Sequence, residues 1–470
     1  MRTVIVGNGV AGIEAALAIR ARHEDWPLTI VSEESDHFFS RPALMYAFCG
    51  QMSQRNIEPY ERDLYERMRF ERVRARAVGL DAGARRLQLA GDLASLEYDR
   101  LLLACGSRPR SPVGIFPNSD LKGVGSFVTM QDMHWLEGEV HGGAAHDRPE
   151  RPDAHLQATA GDSPYLPRPV VAQERGRLAQ KAVVVGGGLI GLEAVEILRK
   201  AGVEVHFLIM EDWYWPLAID AAESAWIAEL MRHEGVHVHL KTEVEGFLDD
   251  GEGRVRGVRT KAGDEIDCDI AVVTIGVVPN TSWLEGSGVA LDERFMGIEV
   301  DASLQSSDPA VFAAGDCATV RWFNGMRRPE QLWYTARDQG RLAARSLMGD
   351  EVSYARDTFY NSAKFMDIEY TTAGLVNFNL EGEENWFHEE KGAVRSTLRV
   401  VTREGRVVGF NMLGRRWDHR VLVRWIDERR GLDYVLDRLP EALYDAELTP
   451  PLQIPGRTYA RPSFLKRLFA

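Results

Sequence analysis

The stretch VIVGNGVAGIEAALAIR, residues 4–20, decides the fold. An apolar run ending at Val6 predicts a strand buried on both faces, and the alanine-rich run that follows predicts a helix. In such a strand–loop–helix unit the first glycine makes a tight turn and the second lets a pyrophosphate approach the backbone. The third allows close packing of helix and strand, with the diphosphate at the helix N-terminus. The loop residues expected to contact a dinucleotide are Gly7, Gly9, Val10, Ala11 and Gly12.

Acidic residues follow the second predicted strand of this unit. That strand covers Leu28 to Val31, and Glu33 and Glu34 come directly after Ser32. A carboxylate at this distance from the first glycine accepts hydrogen bonds from a ribose diol. A glycine turn without a ligand is the alternative, but the glycine pattern, strand, helix and terminal acid occur together and favour a dinucleotide site.

The same pattern repeats in KAVVVGGGLIGLEAVEILRK, residues 181–200. A four-residue apolar strand ends at Val185, and a second strand is predicted from Val203 to Ile209. Two dinucleotide units in one chain imply two cofactors that exchange something. The loop residues of the second unit are Gly186, Gly188, Leu189, Ile190 and Gly191.

Composition excludes several classes of protein. The chain has 470 residues, too many for one hydrophobic core, so two or three domains are expected. A net charge of −14 argues against sequence-independent binding of nucleic acid. The first strand begins at Thr3, which leaves no room for a signal peptide, and no apolar run spans a bilayer. A cytoplasmic location is therefore expected.

Cysteine and histidine usage predicts neither a metal site nor a local redox dithiol. No CxxC or CxxxxC spacing occurs, which fits a reducing compartment. His237 and His239 alternate in a strand-like HVHL segment and are interpreted as a solvated strand face rather than as metal ligands. The four cysteines are Cys49, Cys105, Cys268 and Cys317.

Three further segments complete the domain prediction. Residues 138–179 are rich in Pro, Gly, Ala and His and lack periodicity, so they are interpreted as an irregular insertion or linker. From about residue 351 alternating strands and a helix near Val421 to Arg430 suggest an α+β domain on an antiparallel sheet. In HFFSRPAL, residues 37–44, Arg41 is placed to pair with a pyrophosphate; a surface arginine beside a proline turn is the alternative.

Together these motifs resemble a known family. The two glycine-rich units, ACGSRPR (104–110), DIAVVTIGVVPN (269–280) and FAAGDCA (312–318) occur in the order typical of FAD-dependent pyridine nucleotide oxidoreductases. The chain is most similar to the branch that holds NADH oxidases, rubredoxin and ferredoxin reductases, and the flavin portion of nitrite reductase. The resemblance covers roughly residues 1–135 and 180–380.

The resemblance implies an α/β fold with two Rossmann-like dinucleotide-binding domains, for FAD and NAD, plus a C-terminal α+β domain. The FAD-binding domain would comprise residues 1–137 and 298–350, interrupted by the insertion at 138–179. The NAD(H)-binding domain would comprise residues 180–297, and the C-terminal interface domain residues 351–470.

The family pattern implies a set of FAD contacts. Glu33 would hold the adenosine ribose, Arg41 would lie beside the pyrophosphate, and Asp316 would bind the ribityl chain in the room left by Gly315. A helix beginning at Trp333 would direct its N-terminal amides at the flavin's pyrimidine carbonyl, where reduced flavin carries negative charge. The further implied contacts are Glu34, Pro42, Ala77, Ala104, Cys105, Gly106, Arg108, Tyr334 and Thr335.

The same resemblance assigns the second unit to NAD(H), with Glu193 and Gly276 near the nicotinamide. Lys364 and Phe365 of the C-terminal domain would approach the flavin from its other side. The hydride chemistry belongs to the cofactors, so no side-chain acid or nucleophile need be invoked. Glu193 and Lys364 are named as no more than candidates for a catalytic role. The CxxxxC pair of the disulfide-reductase branch is absent, and Cys49 is interpreted as a packed cysteine within a helix.

The second unit departs from the family pattern at the ribose acid. A carboxylate normally ends the second strand, where this chain has Ile209, and Glu211 follows two residues later. Two acids and no basic residue in this turn would repel a 2′-phosphate, which favours NADH over NADPH. An alternative stays open, because the bulky Trp213, Tyr214 and Trp215 would fill the adenosine pocket and leave a fold without nicotinamide.

The expected protein is an FAD-dependent NAD(P)H oxidoreductase that passes a hydride from NADH to flavin and electrons to a protein or small-molecule acceptor. One alternative is an NADH oxidase that uses oxygen. The other is a flavin-bearing subunit or redox-responsive binding protein with a degenerate nicotinamide site. The insertion and the tail at residues 461–470 favour docking of a partner, and packing of the tail onto its own domain is the equal alternative. Neither nucleic acid nor a membrane is an expected partner, and the resemblance suggests a homodimer.

Overall fold

The helices and strands follow the alternation that the sequence predicts. The computed structural model describes residues 1–142, 178–322, 325–392, 394–444 and 449–459. The helices of these ranges are α1 (Val10–Arg20), α2 (Leu44–Phe48), α3 (Leu64–Arg67), α4 (Met130–His141), α5 (Leu189–Lys200), α6 (Ala221–His233), α7 (Trp333–Leu347), α8 (His419–Asp427) and α9 (Leu432–Arg438). Short 3-10 helices cover Arg41–Ala43, Gln54–Ile57, Ser282–Leu284, Gly315–Cys317 and Leu439–Ala442.

The strands in chain order begin with β1 (Thr3–Val6), β2 (Leu28–Ser32), β3 (Phe70–Arg74), β4 (Ala77–Asp81), β5 (Arg86–Leu89), β6 (Ser95–Glu97), β7 (Arg100–Leu103), β8 (Ser107–Pro109) and β9 (Val124–Gly125). They continue with β10 (Lys181–Val185), β11 (Glu204–Leu208), β12 (Val236–His239), β13 (Val244–Asp249), β14 (Val255–Thr260), β15 (Glu265–Asp267), β16 (Ile270–Val273), β17 (Val277–Pro279) and β18 (Ile298–Glu299). The last are β19 (Val311–Ala313), β20 (Ala318–Arg321), β21 (Arg327–Pro329), β22 (Tyr360–Phe365), β23 (Ile368–Gly374), β24 (Glu383–Lys391), β25 (Arg395–Arg403) and β26 (Arg406–Leu413).

The chain divides into two compact units, each assembled from several segments. One unit contains residues 1–186, 197–205 and 244–355. The other contains residues 187–196, 206–243 and 356–470. Each unit has a buried apolar core of its own, so each is described by itself.

The first unit is organised around a parallel sheet with strand order β19-β7-β1-β2-β3. Its central strand β1 is buried on both faces, because its four residues TVIV are apolar or small and helices cover such a sheet on both sides. In this register Val6 lies beside Leu103, and Leu103 lies beside Ala313. The carboxyl ends of β1, β7 and β19 therefore stop side by side, where the loops that follow them meet.

The remainder of the first unit contains a second parallel arrangement and several small sheets. Strand β16 pairs in parallel with β10 on one side and with β9 on the other. The small sheets are β4-β5-β6, β13-β14-β15, β18-β20-β21 and the pair β17-β8. Together with the sheet around β1 they produce the α/β architecture expected from two dinucleotide-binding units.

The second unit is dominated by an antiparallel sheet with strand order β22-β23-β26-β25-β24. Trp425 of α8 packs on Phe410 of β26, with ring centroids 6.2 Å apart, and both side chains are fully buried. This arrangement confirms the predicted α+β organisation of the C-terminal region. The unit also holds α6, the edge strand β12 and most of β11.

Most sequence-based boundaries agree with the structure, with a few differences. The helix predicted to begin at Trp333 is α7, whereas Cys49 lies just beyond the end of α2 and is half-buried. Helix α4 continues to His141, four residues into the segment expected to be irregular. The rest of that segment, 143–177, and the tail 460–470 lie outside the described residues. Within the described ranges, no helix combines the length and the apolarity needed to cross a membrane.

Candidate functional site

The first glycine loop is shaped by two close backbone contacts and one open position. A Cβ on Gly7 would lie 2.0 Å from the carbonyl oxygen of Ala104, and a Cβ on Gly12 would lie 1.9 Å from that of Gly7. A Cβ on Gly9 would meet nothing within 4 Å. Gly7 and Gly12 thus draw β1, β7 and α1 together, while Gly9 leaves free space beside the N-terminus of α1.

That N-terminus is prepared for an anion. The residue that caps α1 is Gly9, which has no side chain to occupy the free amides, and the first turn of α1 contains no acidic residue. The unpaired N–H groups and the positive end of the helix dipole therefore point into open space. The geometry suits the diphosphate of a dinucleotide.

The two acids after β2 have different surroundings. The guanidinium of Arg41 donates two hydrogen bonds to the carboxylate of Glu34, at 2.8 and 2.6 Å, and a third to the carbonyl of Val128 at 2.8 Å. The N–H of Met130 also donates to Glu34, at 3.0 Å. Glu34 therefore joins the proline turn to the start of α4, whereas Glu33 is exposed and is the acid free to face a ribose.

The end of β19 supplies a half-buried carboxylate. Asp316 accepts a hydrogen bond of 2.7 Å from the hydroxyl of Ser107, and its burial raises the pKa of the carboxyl group. The preceding Gly315 has a φ of +79° and lies against α1, where its Cβ would be 3.2 Å from that of Ala11. Its N–H donates to the side chain of Gln339 in α7 at 2.8 Å. Sequence positions more than 200 apart are thus brought to one edge of the sheet.

Helix α7 begins at the same edge of the first unit with a polar atom that lacks a partner. The indole N–H of Trp333 is buried and has no hydrogen-bond partner among the described residues. No side chain caps α7, and its first turn contains no acid. A buried donor left unpaired costs about 1–3 kcal/mol. A bound polar ring such as a flavin would relieve that cost, so these residues fit FAD.

Two cysteines meet beside Asp316, which the sequence did not indicate. The interaction between the two thiols raises the pKa of Cys105 and lowers the pKa of Cys317. The thiol of Cys317 donates to the carbonyl oxygens of Leu103 and Ala314, at 3.3 and 3.4 Å. Both thiols are free, and Cys317 is fully buried. The pair is a contact between distant segments, so no local spacing announces it. It lines the loop whose members Ala104 to Gly106 were predicted to approach a ligand.

The remaining predicted FAD contacts lie in the same unit. Ala77 begins β4 beside Leu89, and Arg108 lies in β8 opposite Val278 of β17. Pro42 belongs to the 3-10 turn with Arg41, and Tyr334 and Thr335 belong to the first turn of α7. Ala77 is partly buried and packs against the apolar core of this unit.

The second glycine loop begins with a turn like the first. Gly186 has a φ of +114°, and its Cβ would lie 2.5 Å from the carbonyl oxygen of Thr274. The hydroxyl of Thr274 donates to the carbonyl oxygens of Val185 and Gly186, at 2.9 and 3.1 Å. Gly276, two residues further on, has a φ of +100° and open space around its Cβ position. The carbonyl oxygen of Gly276 accepts from the N–H of Arg110 at 3.0 Å.

The continuation of this loop, in the second unit, is supported by Ile209 and Tyr214. A Cβ on Gly187 would lie 2.8 Å from a methyl group of Ile209, which is fully buried at the position where the family pattern has an acid. The phenol of Tyr214 donates to the carbonyl oxygen of Gly188 at 3.4 Å. A Cβ on Gly188 would meet nothing within 4 Å, so one side of the loop stays open. Leu189 and Ile190 follow as the first residues of α5.

Glu211 has a carboxylate oxygen that can accept a hydrogen bond from a ligand. Its Oε2 is buried and has no hydrogen-bond partner within the described ranges, while its carbonyl oxygen accepts from Lys241 N–H at 3.0 Å. The neighbouring Asp212 is exposed and pairs with the ammonium of Lys241 at 2.9 Å. Since a buried carboxylate oxygen needs donors, the Glu211 side chain fits the hydroxyl groups of a ribose.

The three aromatic residues of the turn, Trp213, Tyr214 and Trp215, make different contacts. Trp213 donates its indole N–H to the carbonyl of Ile219 at 3.3 Å. Trp215 packs on Phe365 and on Tyr370, with ring centroids 5.9 and 5.8 Å away. Only Tyr214 has a described hydrogen bond to the glycine loop. The two tryptophans are thus held by contacts other than the loop, which weakens the alternative that the cluster as a whole fills an adenosine pocket.

The two catalytic candidates contact the same helix. Glu193 lies in α5, and its burial, together with the charge of Glu196, raises its pKa to about 7. The ammonium of Lys364 lies 3.4 Å from the carboxylate of Glu196, which is almost fully buried. The neighbouring Phe365 is fully buried between Tyr214 and Tyr370, so its ring is part of the packing of this unit.

A buried ion pair attaches α6 to the C-terminal sheet. Arg399 of β25 donates to the carboxylate of Glu223 at 2.7 Å, and the amide of Asn411 donates to both oxygens of Glu223 at 3.0 Å. Tyr214 is tied to the same helix, because its N–H donates to the hydroxyl of Ser224 at 2.8 Å. The turn after β11, helix α6 and the antiparallel sheet therefore form one connected network.

The two glycine loops, the half-buried Asp316 and the buried carboxylate oxygen of Glu211 define a class of protein, namely the oxidoreductases that combine a flavin with a nicotinamide dinucleotide. The chain belongs to the pyridine nucleotide-disulphide oxidoreductase family, whose model matches residues 1–340. Its cofactors are accordingly FAD and NAD(H), and its activity is that of an FAD-dependent NAD(P)H oxidoreductase.

Individual relatives agree with this assignment. The chain is 30% identical to rhodocoxin reductase of Rhodococcus erythropolis over 383 residues, which are 80% of this chain and 78% of that one. It is 27% identical to a ferredoxin–NAD(P)(+) reductase of Sphingomonas sp., with 98% of each chain covered.

Solved structures show the same fold. A ferredoxin reductase from Rhodopseudomonas palustris superimposes with a TM-score of 0.75 at 22% identity, covering 92% of this chain and 96% of that chain. The water-forming NADH oxidase of Lactobacillus brevis gives a TM-score of 0.75 at 20% identity, covering 96% and 94%. At these identities the likeness establishes the fold alone.

Proposed function

We propose that this protein oxidises NADH through bound FAD and delivers the electrons one at a time to a small redox protein. The observation that carries the nicotinamide half is Glu211, whose buried carboxylate oxygen is unpartnered within the described residues. It stands two residues after Ile209, and Ile209 packs against the glycine loop at Gly187. Glu211 thus replaces the missing acid at the strand end and disfavours the 2′-phosphate of NADPH.

We assign the FAD contacts to the first unit. The free amides of α1 beside Gly9 would hold the diphosphate, Glu33 would accept from the adenosine ribose, and Asp316 would accept from the ribityl chain. Glu34 keeps Arg41 in place through its paired hydrogen bonds. The N-terminus of α7 and the indole N–H of Trp333 would hold the flavin ring, and the positive end of the helix would stabilise the negative charge of the reduced form.

Glu193 has a role in proton transfer, and Lys364 compensates a neighbouring negative charge. With a pKa raised to about 7, Glu193 exchanges a proton near neutral pH, and it is the proton-handling residue of the second unit. Lys364 is a positioning residue, because its ammonium compensates the charge of Glu196 at 3.4 Å and thereby limits the repulsion that Glu196 exerts on Glu193.

Several observations support a one-electron protein acceptor. Bound flavin accepts a hydride from nicotinamide and can release electrons singly. The chain lacks a CxxxxC dithiol, so a local disulfide relay of that spacing is not available to carry electron pairs. Relatives similar over most of their length are named reductases of rhodocoxin and of ferredoxin. A structural neighbour is a covalent putidaredoxin reductase–putidaredoxin complex. The balanced reaction is NADH + 2 oxidised acceptor → NAD⁺ + H⁺ + 2 reduced acceptor.

The test follows NADH oxidation with and without an added [2Fe–2S] ferredoxin, with cytochrome c as the final acceptor and oxygen uptake recorded in parallel. A rate that rises with ferredoxin concentration and saturates supports the proposal. Oxygen uptake that accounts for all NADH consumed, whether or not ferredoxin is present, would make the protein an oxidase instead. Glu211→Gln protein should retain its FAD and reduce cytochrome c more slowly at limiting NADH, which separates failure of the donor site from failure of the acceptor.

A further inference from the structure

An asparagine beside the antiparallel sheet holds the turn that joins β11 to α6. Asn377 lies three residues beyond the end of β23, and its side-chain N–H donates to the carbonyl oxygen of Pro216 at 3.2 Å. Pro216 comes five residues after Glu211 in this turn. All three residues belong to the second unit. The C-terminal region therefore contacts the backbone of the segment that carries Glu211.

Arg399 of β25 determines which way the Asn377 amide faces. The guanidinium donates to Oδ1 of Asn377 and, at 3.5 Å, to the carbonyl oxygen of Ala218. A guanidinium has donors and no acceptor, so it selects the amide oxygen and leaves the NH₂ group for Pro216. The Arg399 side chain is 5% exposed and is fixed by its ion pair with Glu223 at 2.7 Å. Asn377 is therefore oriented by a rigid, buried neighbour.

The backbone of the turn has an unfavourable conformation next to this contact. Trp215, directly before Pro216, has a φ of +50°, in the left-handed region that bulky residues rarely adopt. Its ring packs on Phe365 and Tyr370. Such a conformation persists only where the surrounding structure maintains it. The ring contacts of Trp215 and the hydrogen bond from Asn377 to Pro216 together supply that support.

The two ends of the segment from Glu211 to Pro216 are held by different partners. At its start the carbonyl oxygen of Glu211 accepts from the N–H of Lys241 at 3.0 Å. At its end Pro216 is held by Asn377. Because so short a segment is bonded at both ends, a shift of Pro216 alters the direction of the Glu211 side chain. The buried oxygen of that side chain can accept from a ribose hydroxyl only when it is correctly aimed.

We propose that Asn377, oriented by Arg399, is a positioning residue for Glu211 and thereby sets the affinity of the protein for the adenosine half of NADH. The inference rests on the proposed role of Glu211 at the ribose. Asn377 acts through the backbone of the turn, so its loss weakens dinucleotide binding and leaves the rate of hydride transfer from bound NADH unchanged.

The test compares Asn377→Asp and Asn377→Gly with the unmodified, FAD-loaded protein. Aspartate keeps the shape of the side chain and an oxygen for Arg399 but cannot donate to Pro216. Asn377 has a φ of +61°, a left-handed conformation that both aspartate and glycine accept. The matched control is Asn379→Gly, because Asn379 is exposed and has a φ of +52° in the same loop. Isothermal titration calorimetry with ADP-ribose, which has the adenosine ribose but no nicotinamide, measures binding without flavin reduction.

Both Asn377 variants should raise the Kd for ADP-ribose and the KM for NADH about two- to tenfold, the range for loss of one hydrogen bond. The limiting rate of flavin reduction and the FAD content should stay at the values of the unmodified protein, and Asn379→Gly should match it throughout. A lower thermal midpoint with an unchanged Kd would mean that Asn377 has a structural role alone, and the proposal would be overturned.

Adding Asn377→Asp to Glu211→Gln separates this inference from the proposed function. If Asn377 acts through Glu211, the second substitution should change the Kd for ADP-ribose by less than about twofold, because effects that share one route are not additive. A full additional effect would overturn the positioning role while leaving Glu211 in place. Unweakened binding by Glu211→Gln alone would instead refute the proposed role of Glu211, and the inference would fail with it.

Discussion

The phenol of Tyr214 hydrogen-bonds the carbonyl oxygen of Gly188 at 3.4 Å, and Tyr214 is itself fully buried against Phe365 of the C-terminal sheet. The Tyr214 side chain thus contacts both the loop proposed to hold the nicotinamide dinucleotide and a residue of the antiparallel sheet. The sequence motifs of the family do not predict this contact. Through this contact the turn after β11 supports the glycine loop, and the effect of removing the phenol can be predicted.

Replacing Tyr214 by Phe should loosen the glycine loop without disturbing FAD. A single hydrogen bond of this kind contributes about 0.5–1.5 kcal/mol, so the KM for NADH should rise about two- to tenfold. The FAD content and the limiting rate at saturating NADH should stay within error of the unmodified enzyme. Steady-state kinetics with cytochrome c measures this, and a fall in kcat at unchanged KM would contradict the loop role.

Glu211 should be the acid that recognises NADH. Glu211→Gln removes the charged acceptor, and hydrogen bonds to charged groups are worth about 1.5–3 kcal/mol, which corresponds to a rise in the Kd for NADH of about 10- to 100-fold. Asp212→Asn is the matched control, because Asp212 is exposed and already pairs with Lys241. Equal effects of the two substitutions on NADH binding would show that Glu211 has no special place.

Alanine substitutions at two glycines of the first loop should have different effects, one on FAD binding and the other on the stability of the fold. Alanine at position 9 meets no atom within 4 Å, whereas alanine at position 12 would meet the carbonyl of Gly7 at 1.9 Å. Gly9→Ala should leave the stability of the FAD-free protein within about 0.5 kcal/mol but weaken FAD binding. Gly12→Ala should cost the FAD-free protein at least about 2 kcal/mol. Urea unfolding and FAD titration of both variants provide the comparison; a Gly9→Ala protein with normal FAD affinity would exclude the diphosphate from this loop.

Glu193 should make stability depend on pH. Its pKa in the folded protein is raised from 4.5 to about 7, so the unfolded chain releases this proton at lower pH. The contribution of Glu193 is therefore fully present below about pH 4.5 and is lost as the pH rises through 7. The full loss is up to about 3 kcal/mol.

Glu193→Gln should accordingly be more stable than the unmodified protein at pH 8 and nearly equal to it at pH 5. Urea unfolding at the two pH values measures the difference, and the exposed Glu285→Gln serves as the control. The same relative stability at both pH values would mean that Glu193 is not protonated in the folded state.

The sequence was sufficient wherever the determining features are local. The spacing of Gly7, Gly9 and Gly12 reflects a steric requirement of one strand–loop–helix turn, and both close contacts of that turn are present in the structure. The same holds for the helix that begins at Trp333 and for the antiparallel strands of the C-terminal region. Periodicity and glycine placement determine such elements over short distances.

The sequence was not sufficient where side chains from distant segments meet. Glu223 and Arg399 are 176 residues apart and form a buried pair, and each alone is an ordinary charged residue of a helix or strand. The pairing of Cys105 with Cys317 and the stacking of His206 on His237 have the same origin. Sequence spacing also could not show that Glu211 turns inward while Asp212 faces solvent, because the direction of a side chain depends on the turn that carries it.

The most direct test of the account is anaerobic stopped-flow mixing of the FAD-loaded protein with NADH and, separately, with NADPH. Flavin reduction is followed by the loss of absorbance near about 450 nm. The account predicts rapid bleaching by NADH that saturates with concentration, and bleaching by NADPH that requires much higher concentrations. If neither nucleotide bleaches the flavin, the account is contradicted, because a nicotinamide dinucleotide bound at the second glycine loop would then not transfer a hydride to the flavin.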